Sequence, residues 1–268
     1  MRIRAGYRIV YDTPGPTPML MMLNVRPERA PDLETPDFML TEPHVPIRTY
    51  VDAFGNICTR LVAPAGHTAF HTDFVIRDSG LPDPVPADAP QHVIDELPDH
   101  VVEYLLPSRY CDTEHLSDTA WKLFGATPTG WPRVKAVLDY AHQRIRFGYE
   151  HARATKTAHE AHQEGVGVCR DYAHLAITFC RALSIPARYC TGYLGDIGVP
   201  ASDAPMDFSA WCEVWLGGAW RAVDARHNEP RIGRILMAVG RDAADVAITT
   251  TFGEATLAQF EVFTEEIG

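Results

Sequence analysis

Gly165-Val166-Gly167-Val168-Cys169-Arg170-Asp171-Tyr172-Ala173 is the stretch around which this 268-residue chain is organised. Its two glycines allow a sharp turn. From Cys169 onward Tyr172, Leu175, Ala176, Phe179 and Leu183 recur at helical spacing, so Cys169 opens a helix. A thiol there lies beside unpaired amides carrying partial positive charge, which favours thiolate and makes the sulfur a nucleophile. The plainer reading is a packed thiol, because free cysteine is usually buried and inert. The choice rests on what the rest of the chain brings against Cys169.

Downstream, Ile185-Pro186 stops the helix near Ser184, and Ala187 to Leu194 alternates as a strand. Ser209 to Leu216 and Ala219 to Ala225 flank Gly217-Gly218, a two-residue hairpin loop. That loop pairs Trp215 with Trp220 and Trp211 with Asp224. It sets position 209 diagonal to Asp224 with Cβ atoms roughly 7 Å apart, the reach of an imidazole to a carboxylate. Trp211, Trp215 and Trp220 share the face of Asp224 and read as core rather than as a substrate platform. A helix opening on cysteine, facing a strand pair able to hold a base and an acid, is what nucleophilic cysteine catalysis requires.

Upstream, helical periods cover His100 to Leu106, Ser117 to Phe124 and Pro132 to Ile145. Phe147 to Glu164 reads as loop. Within it His159-Glu160-Ala161-His162 spaces its histidines three apart, not the four of a zincin, so no metal site is expected. Asp171 in a first helical turn is what the macrodipole favours. Residues 1–80 read as an all-β unit with strands at Tyr7 to Tyr11, Met19 to Val25, Ile47 to Val51, Ile57 to Val62 and Phe70 to Ile76. Met19, Met21 and Met22 are taken as strand core rather than a soft-metal patch. Pro82, Pro84, Pro86 and Pro90 make 81–98 a semi-rigid linker, leaving 99–268 as the core domain. Strands are also expected at Val246 to Thr250 and Phe260 to Phe263.

A hydrophobic content of 46% with 22% charged residues is that of a globular protein with a sizeable core. The net charge of −11, with no basic run, argues against nucleic-acid or anionic-membrane partners. No apolar run follows the N-terminal charges and no stretch is long enough to span a bilayer, so the expected location is the cytoplasm. Cys58, Cys111, Cys169, Cys180, Cys190 and Cys212 lack paired spacing, which suggests reduced thiols rather than disulfides or a zinc ribbon.

Gly167-Val168-Cys169-Arg170-Asp171-Tyr172-Ala173-His174-Leu175, with Cys180 to Tyr189 and Thr191-Gly192-Tyr193 after it, resembles the core of bacterial transglutaminase-like proteins. Phe208-Ser209-Ala210-Trp211, Val223 to Asn228 and Gly240 to Val246 resemble the same group, as does a β domain placed before the core. The resemblance implies an α+β, papain-like fold and a Cys, His and Asp triad whose thiolate attacks an amide. By position Cys169 is the nucleophile and Asp224 the orienting acid. Where family members commonly carry His-Ala-Trp, this chain has Ser209-Ala210-Trp211.

A serine is no useful base at neutral pH, so another group must take the proton. His227 is nearest in sequence, but strand alternation in the two-residue register puts it on the face opposite Asp224. A three-residue turn would bring it to face 209 and carry Asp224 away. His174, about 140° around the helix from Cys169, should point away. His162 lies in the preceding loop and could fold back. Otherwise Cys169 works as a thiolate with water or Ser209 relaying protons, or the site is a binding or scaffold surface that has lost catalysis. The leading expectation is a cofactor-free thiol enzyme acting on a peptide or protein amide, by hydrolysis rather than crosslinking.

Overall fold

Residues 1–201 and 205–268 are described by the computed structural model. The N-terminal third supplies β1 (Arg2–Thr13), β2 (Thr17–Met21), β3 (Leu40–Glu42), β4 (Arg48–Val51), β5 (Ile57–Ala63) and β6 (Gly66–Arg77). Alternation sets the buried face: Ile3, Ala5, Tyr7 and Ile9 of β1 point inward while Arg2 and Arg4 face solvent.

The helical region follows as α1 (Asp99–Val102), α2 (Thr113–Phe124), α3 (Trp131–Arg144), β7 (Arg146–Phe147), α4 (Ala158–Glu164), β8 (Val166–Gly167) and α5 (Cys169–Ala182). The expected loop from Phe147 to Glu164 thus contains a helix. Thr157 and Glu160 form a reciprocal capping box that starts it, the Thr157 side chain accepting from the Glu160 amide and Glu160 from the Thr157 amide. Next come β9 (Ala187–Tyr193), β10 (Ser209–Leu216), β11 (Ala219–Val223), β12 (Ile235–Gly240), β13 (Thr249–Thr251) and β14 (Thr256–Glu266). β12, absent from the sequence reading, is buried along nearly its whole length and so shows no alternation.

The core sheet has the order β11-β10-β9-β12, all antiparallel. α5 packs on β9 and β10 with α2, α3 and α4 around its other sides, so every residue from Asp171 to Arg181 is buried and the apolar stripe is only part of its surface. The buried polar groups of α5 are held in place. Arg181, for example, donates to the Ala187 and Leu106 carbonyls.

The last two strands return to the N-terminal sheets, whose orders are β14-β1-β6-β3 and β13-β2-β5-β4. β14 lies against β1 from Glu266 opposite Ile3 to Thr256 opposite Asp12, covering an edge that a 12-residue strand would otherwise expose. The apolar interior is also shared: Tyr193 and Phe208 of the core pack edge-on against Phe74 and Tyr7. The proline-rich segment lies on the core rather than swinging free of it, with the Ala89 carbonyl accepting from Trp131 and the Pro90 carbonyl from Gly217. No helix among the described residues is long and apolar enough to cross a membrane.

Candidate active site

The glycines before Cys169 have separate duties. Gly165 ends α4 in the left-handed conformation, with φ of 67°, where a side chain would be strained. At Gly167 a Cβ would fall 2.5 Å from Asp171 Oδ2. That close approach lets Asp171 accept the Val168 amide at 2.9 Å and cap the first turn of α5. Asp171 is therefore structural.

Cys169 is half-buried and lines a cavity of about 470 Å³ together with Tyr149, Asp207, Ser209, Arg226 and His227. The far wall includes Thr264, Glu265 and Glu266, the end of β14. Burial pushes the Cys169 thiol above its ordinary range, and Asp207 adds to this. The Arg226 guanidinium is the largest opposing influence, and the Ala210 and Arg170 amides act with it. The helix terminus alone predicts a readily formed thiolate, but desolvation outweighs it in the free protein.

The hairpin adopts the two-residue register, with Trp215 opposite Trp220 and positive φ at Gly217 and Gly218. Pairing ends at Cys212 and Val223, one step before Asp224. This corrects the placement of His227. Strand alternation does not continue to residue 227, because Asp224 Oδ1 accepts the backbone N–H groups of Arg226 and His227 at 2.9 and 3.1 Å and folds the chain back. His227 Nδ1 is thereby brought 2.8 Å from Asp224 Oδ2. Arg234 Nη2 donates to the same oxygen at 3.0 Å, while its Nε donates to Asp83 at 2.7 Å. Burial alone would raise the Asp224 carboxyl. The hydrogen bond from His227 and the charge of Arg234 hold it well below the usual carboxylate range.

Because Asp224 is ionised and only accepts, Nδ1 of His227 carries the hydrogen and Nε2 is left as the basic nitrogen. Ser209 lines the same cavity but is a hydroxyl. His162 does not fold back towards Cys169: α4 carries it to Tyr140, whose hydroxyl lies 2.8 Å from Nε2, and to the ring of Phe179. His174 is sandwiched between Tyr110 and Tyr189, and its Nε2 accepts the Ala243 amide at 3.1 Å. Neither imidazole lines the Cys169 cavity. Trp215 and Trp220 pack against each other, with Tyr104 and Arg188 on Trp220. Among the described residues no group of three or more His, Cys, Asp or Glu is placed to hold a metal ion.

Sequence reasoning passed over Arg234 and Arg226. Arg234 lies ten residues beyond Asp224 across irregular chain, where no spacing rule applies. Arg226 sits inside the turn whose geometry the strand assumption hid.

The model of the Transglutaminase-like superfamily matches residues 119–225, a span from within α2 to just past Asp224. An uncharacterized protein of Mycobacterium leprae is 38% identical over 87 residues, 30% of each chain. One from Mycobacterium tuberculosis is 35% identical over 89 residues, 30% of this chain and 28% of its own. The chain thus matches under a third of the length of these curated relatives. The crystal structure of a candidate cysteine protease from Cytophaga hutchinsonii superimposes with a TM-score of 0.85 at 27% identity, covering 99% of this chain and 90% of that one. The α5 thiol on its antiparallel sheet lies within the stretch that matches the Transglutaminase-like superfamily, and with a strand-rich unit built from both ends of the sequence the whole chain shares the fold of the Cytophaga protein.

Proposed function

We propose that the protein is a thiol hydrolase of amide or peptide bonds in which Cys169 is the nucleophile, His227 the general base and Asp224 the group that orients it. The observation that carries this reading is the 2.8 Å contact between His227 Nδ1 and Asp224 Oδ2, made by an imidazole lining the cavity of Cys169. His227 thus takes the role that the resemblance gives to position 209.

In this reading Cys169 Sγ attacks the carbonyl carbon as its proton passes to His227 Nε2. The imidazolium returns that proton to the departing amine, leaving a thioester. Water, deprotonated by His227, then attacks the thioester carbon, and the thiol leaves with the proton. Asp224 stays ionised throughout because Arg234 and two backbone amides share its charge. The raised thiol describes a Cys169 that is deprotonated as it attacks, not one stored as thiolate.

p-Nitrophenyl acetate tests the reading. A burst of nitrophenolate equal to the enzyme present, absent in Cys169→Ala, marks the acyl-enzyme. His227→Ala should lower the acylation rate by about a hundred-fold or more. Adding a fluorescent primary amine distinguishes acceptors: hydrolysis predicts little label on a glutamine-rich protein. Equal bursts in wild type and Cys169→Ala would place the acyl group on another residue, and no burst in either would leave the protein a binding or scaffold surface.

A further inference from the structure

We propose that Arg226 is a substrate-binding residue that reads a carboxylate next to the scissile bond, so that the favoured substrates are short peptides or amides with a free carboxylate one residue from the carbonyl attacked. The proposal rests on the reading that Cys169 attacks its substrate within this cavity. It deepens that reading by naming a substrate class.

The cations of the site differ in how they are engaged. Arg234 is held by Asp83 and Asp224. Arg231 donates to the Gly195 carbonyl and lies 3.7 Å from Asp196. Arg226 is half-buried on the cavity wall with its guanidinium 4.0 Å over the Phe147 ring and next to the Tyr149 hydroxyl, and no carboxylate of the described residues forms an ion pair with it. A planar cation propped on an aromatic face keeps its N–H edge available and is little hydrated, which suits two-point recognition of a carboxylate.

Carboxylates also line the cavity. Glu265 is engaged by Arg4 at 2.9 Å, and Asp196 faces Arg231. Glu266 stands at the end of β14, opposite Ile3 in the sheet. Asp207, on the same wall, feels the charge of Arg226 without forming an ion pair with it, and acts on the Cys169 sulfur less strongly than Arg226 does. Beside the nucleophile the balance therefore favours an anion. Further out along the wall it favours a cation.

Alkylation of Cys169 tests this without need of turnover. Iodoacetate and iodoacetamide undergo the same displacement of iodide by the same thiolate, and they differ in whether a carboxylate or a neutral amide sits one carbon from the reacting carbon. Relative to glutathione at the same pH, the iodoacetate-to-iodoacetamide rate ratio at Cys169 should be higher by about ten-fold at low salt and should fall in 1 M NaCl. Arg226→Gln should bring the ratio to that of glutathione, Arg226→Lys should keep part of the preference, and His227→Ala should leave most of it. Because Arg226 also favours the thiolate, Arg226→Gln slows both reagents and only their ratio reads the carboxylate contact, with an unchanged urea midpoint as the check on folding. A wild-type ratio equal to that of glutathione, a ratio insensitive to Arg226→Gln, or fastest reaction with 2-bromoethylammonium would overturn the proposal. Loss of the acyl-enzyme burst with the ratio intact would count instead against the hydrolase reading.

Discussion

At the scale of single residues the imidazole against Asp224 comes from the turn that follows β11. Ser209 occupies the strand position from which a histidine would approach Asp224, while His227 reaches the same carboxylate from the turn beyond it. The two positions then compete for one acid whose Oδ2 already receives His227 and Arg234. Ser209→His alone should therefore not raise the rate of nitrophenyl ester cleavage. Placed on His227→Ala, it should recover about ten-fold or more of the lost rate, within the range a positioned base contributes. A rise in the single variant, together with an indifferent His227→Ala, would show that the native site is a degraded one. Cys169 and Asp224 were legible in the sequence because each is marked locally, by a helix start and by a hairpin loop. His227 was named as a substitute base but set on the wrong face, since its position depends on where β11 ends, and that is decided by Asp224 bonding its own neighbouring amides.

At the scale of elements, the loop into α5 is held by contact rather than by propensity. Gly167 and Asp171 fit together so closely that a methyl group cannot be added without displacing the carboxylate from the Val168 amide. Gly167→Ala should cost about 1–3 kcal/mol, as overpacking does, read as a lower urea midpoint at unchanged slope. Because the methyl acts through Asp171, the loss in Gly167→Ala/Asp171→Ala should fall short of the sum of the single losses. Strict additivity would place the clash elsewhere. Helices and strands with one solvent face were visible from their period, as α3 and β1 show. α5 was read from its apolar stripe although it is buried all round, whereas β12, buried along nearly its whole length, lacks the alternation that marks a strand. Nothing local in Thr256 to Glu266 announces a partner at the other end of the sequence, so the return of β14 to β1 lay beyond sequence reasoning.

At the scale of the whole molecule, one buried side chain joins the parts of the core. His174 on α5 stacks on Tyr110 and Tyr189 and accepts the Ala243 amide. Burial, reinforced by Arg170 and Arg181, holds its protonation well below the ordinary histidine value, so it is neutral when folded. In the unfolded chain it takes up a proton near pH 6.5. Below that pH the unfolded state binds the extra proton, so the stability His174 provides is complete above about pH 6.5 and is lost as the pH falls, by up to about 1.4 kcal/mol per pH unit. His162, also lowered by burial, acts in the same direction, whereas Asp171 and Asp207, whose carboxyls burial raises, act in the opposite one. The difference between wild type and His174→Gln isolates the single residue. Gln can still accept the Ala243 amide but does not titrate. The variant should be less stable at pH 7.5, through lost stacking, and the gap should narrow steadily between pH 6.5 and 5 in urea unfolding. A gap independent of pH would mean that His174 carries its proton in the folded protein as well.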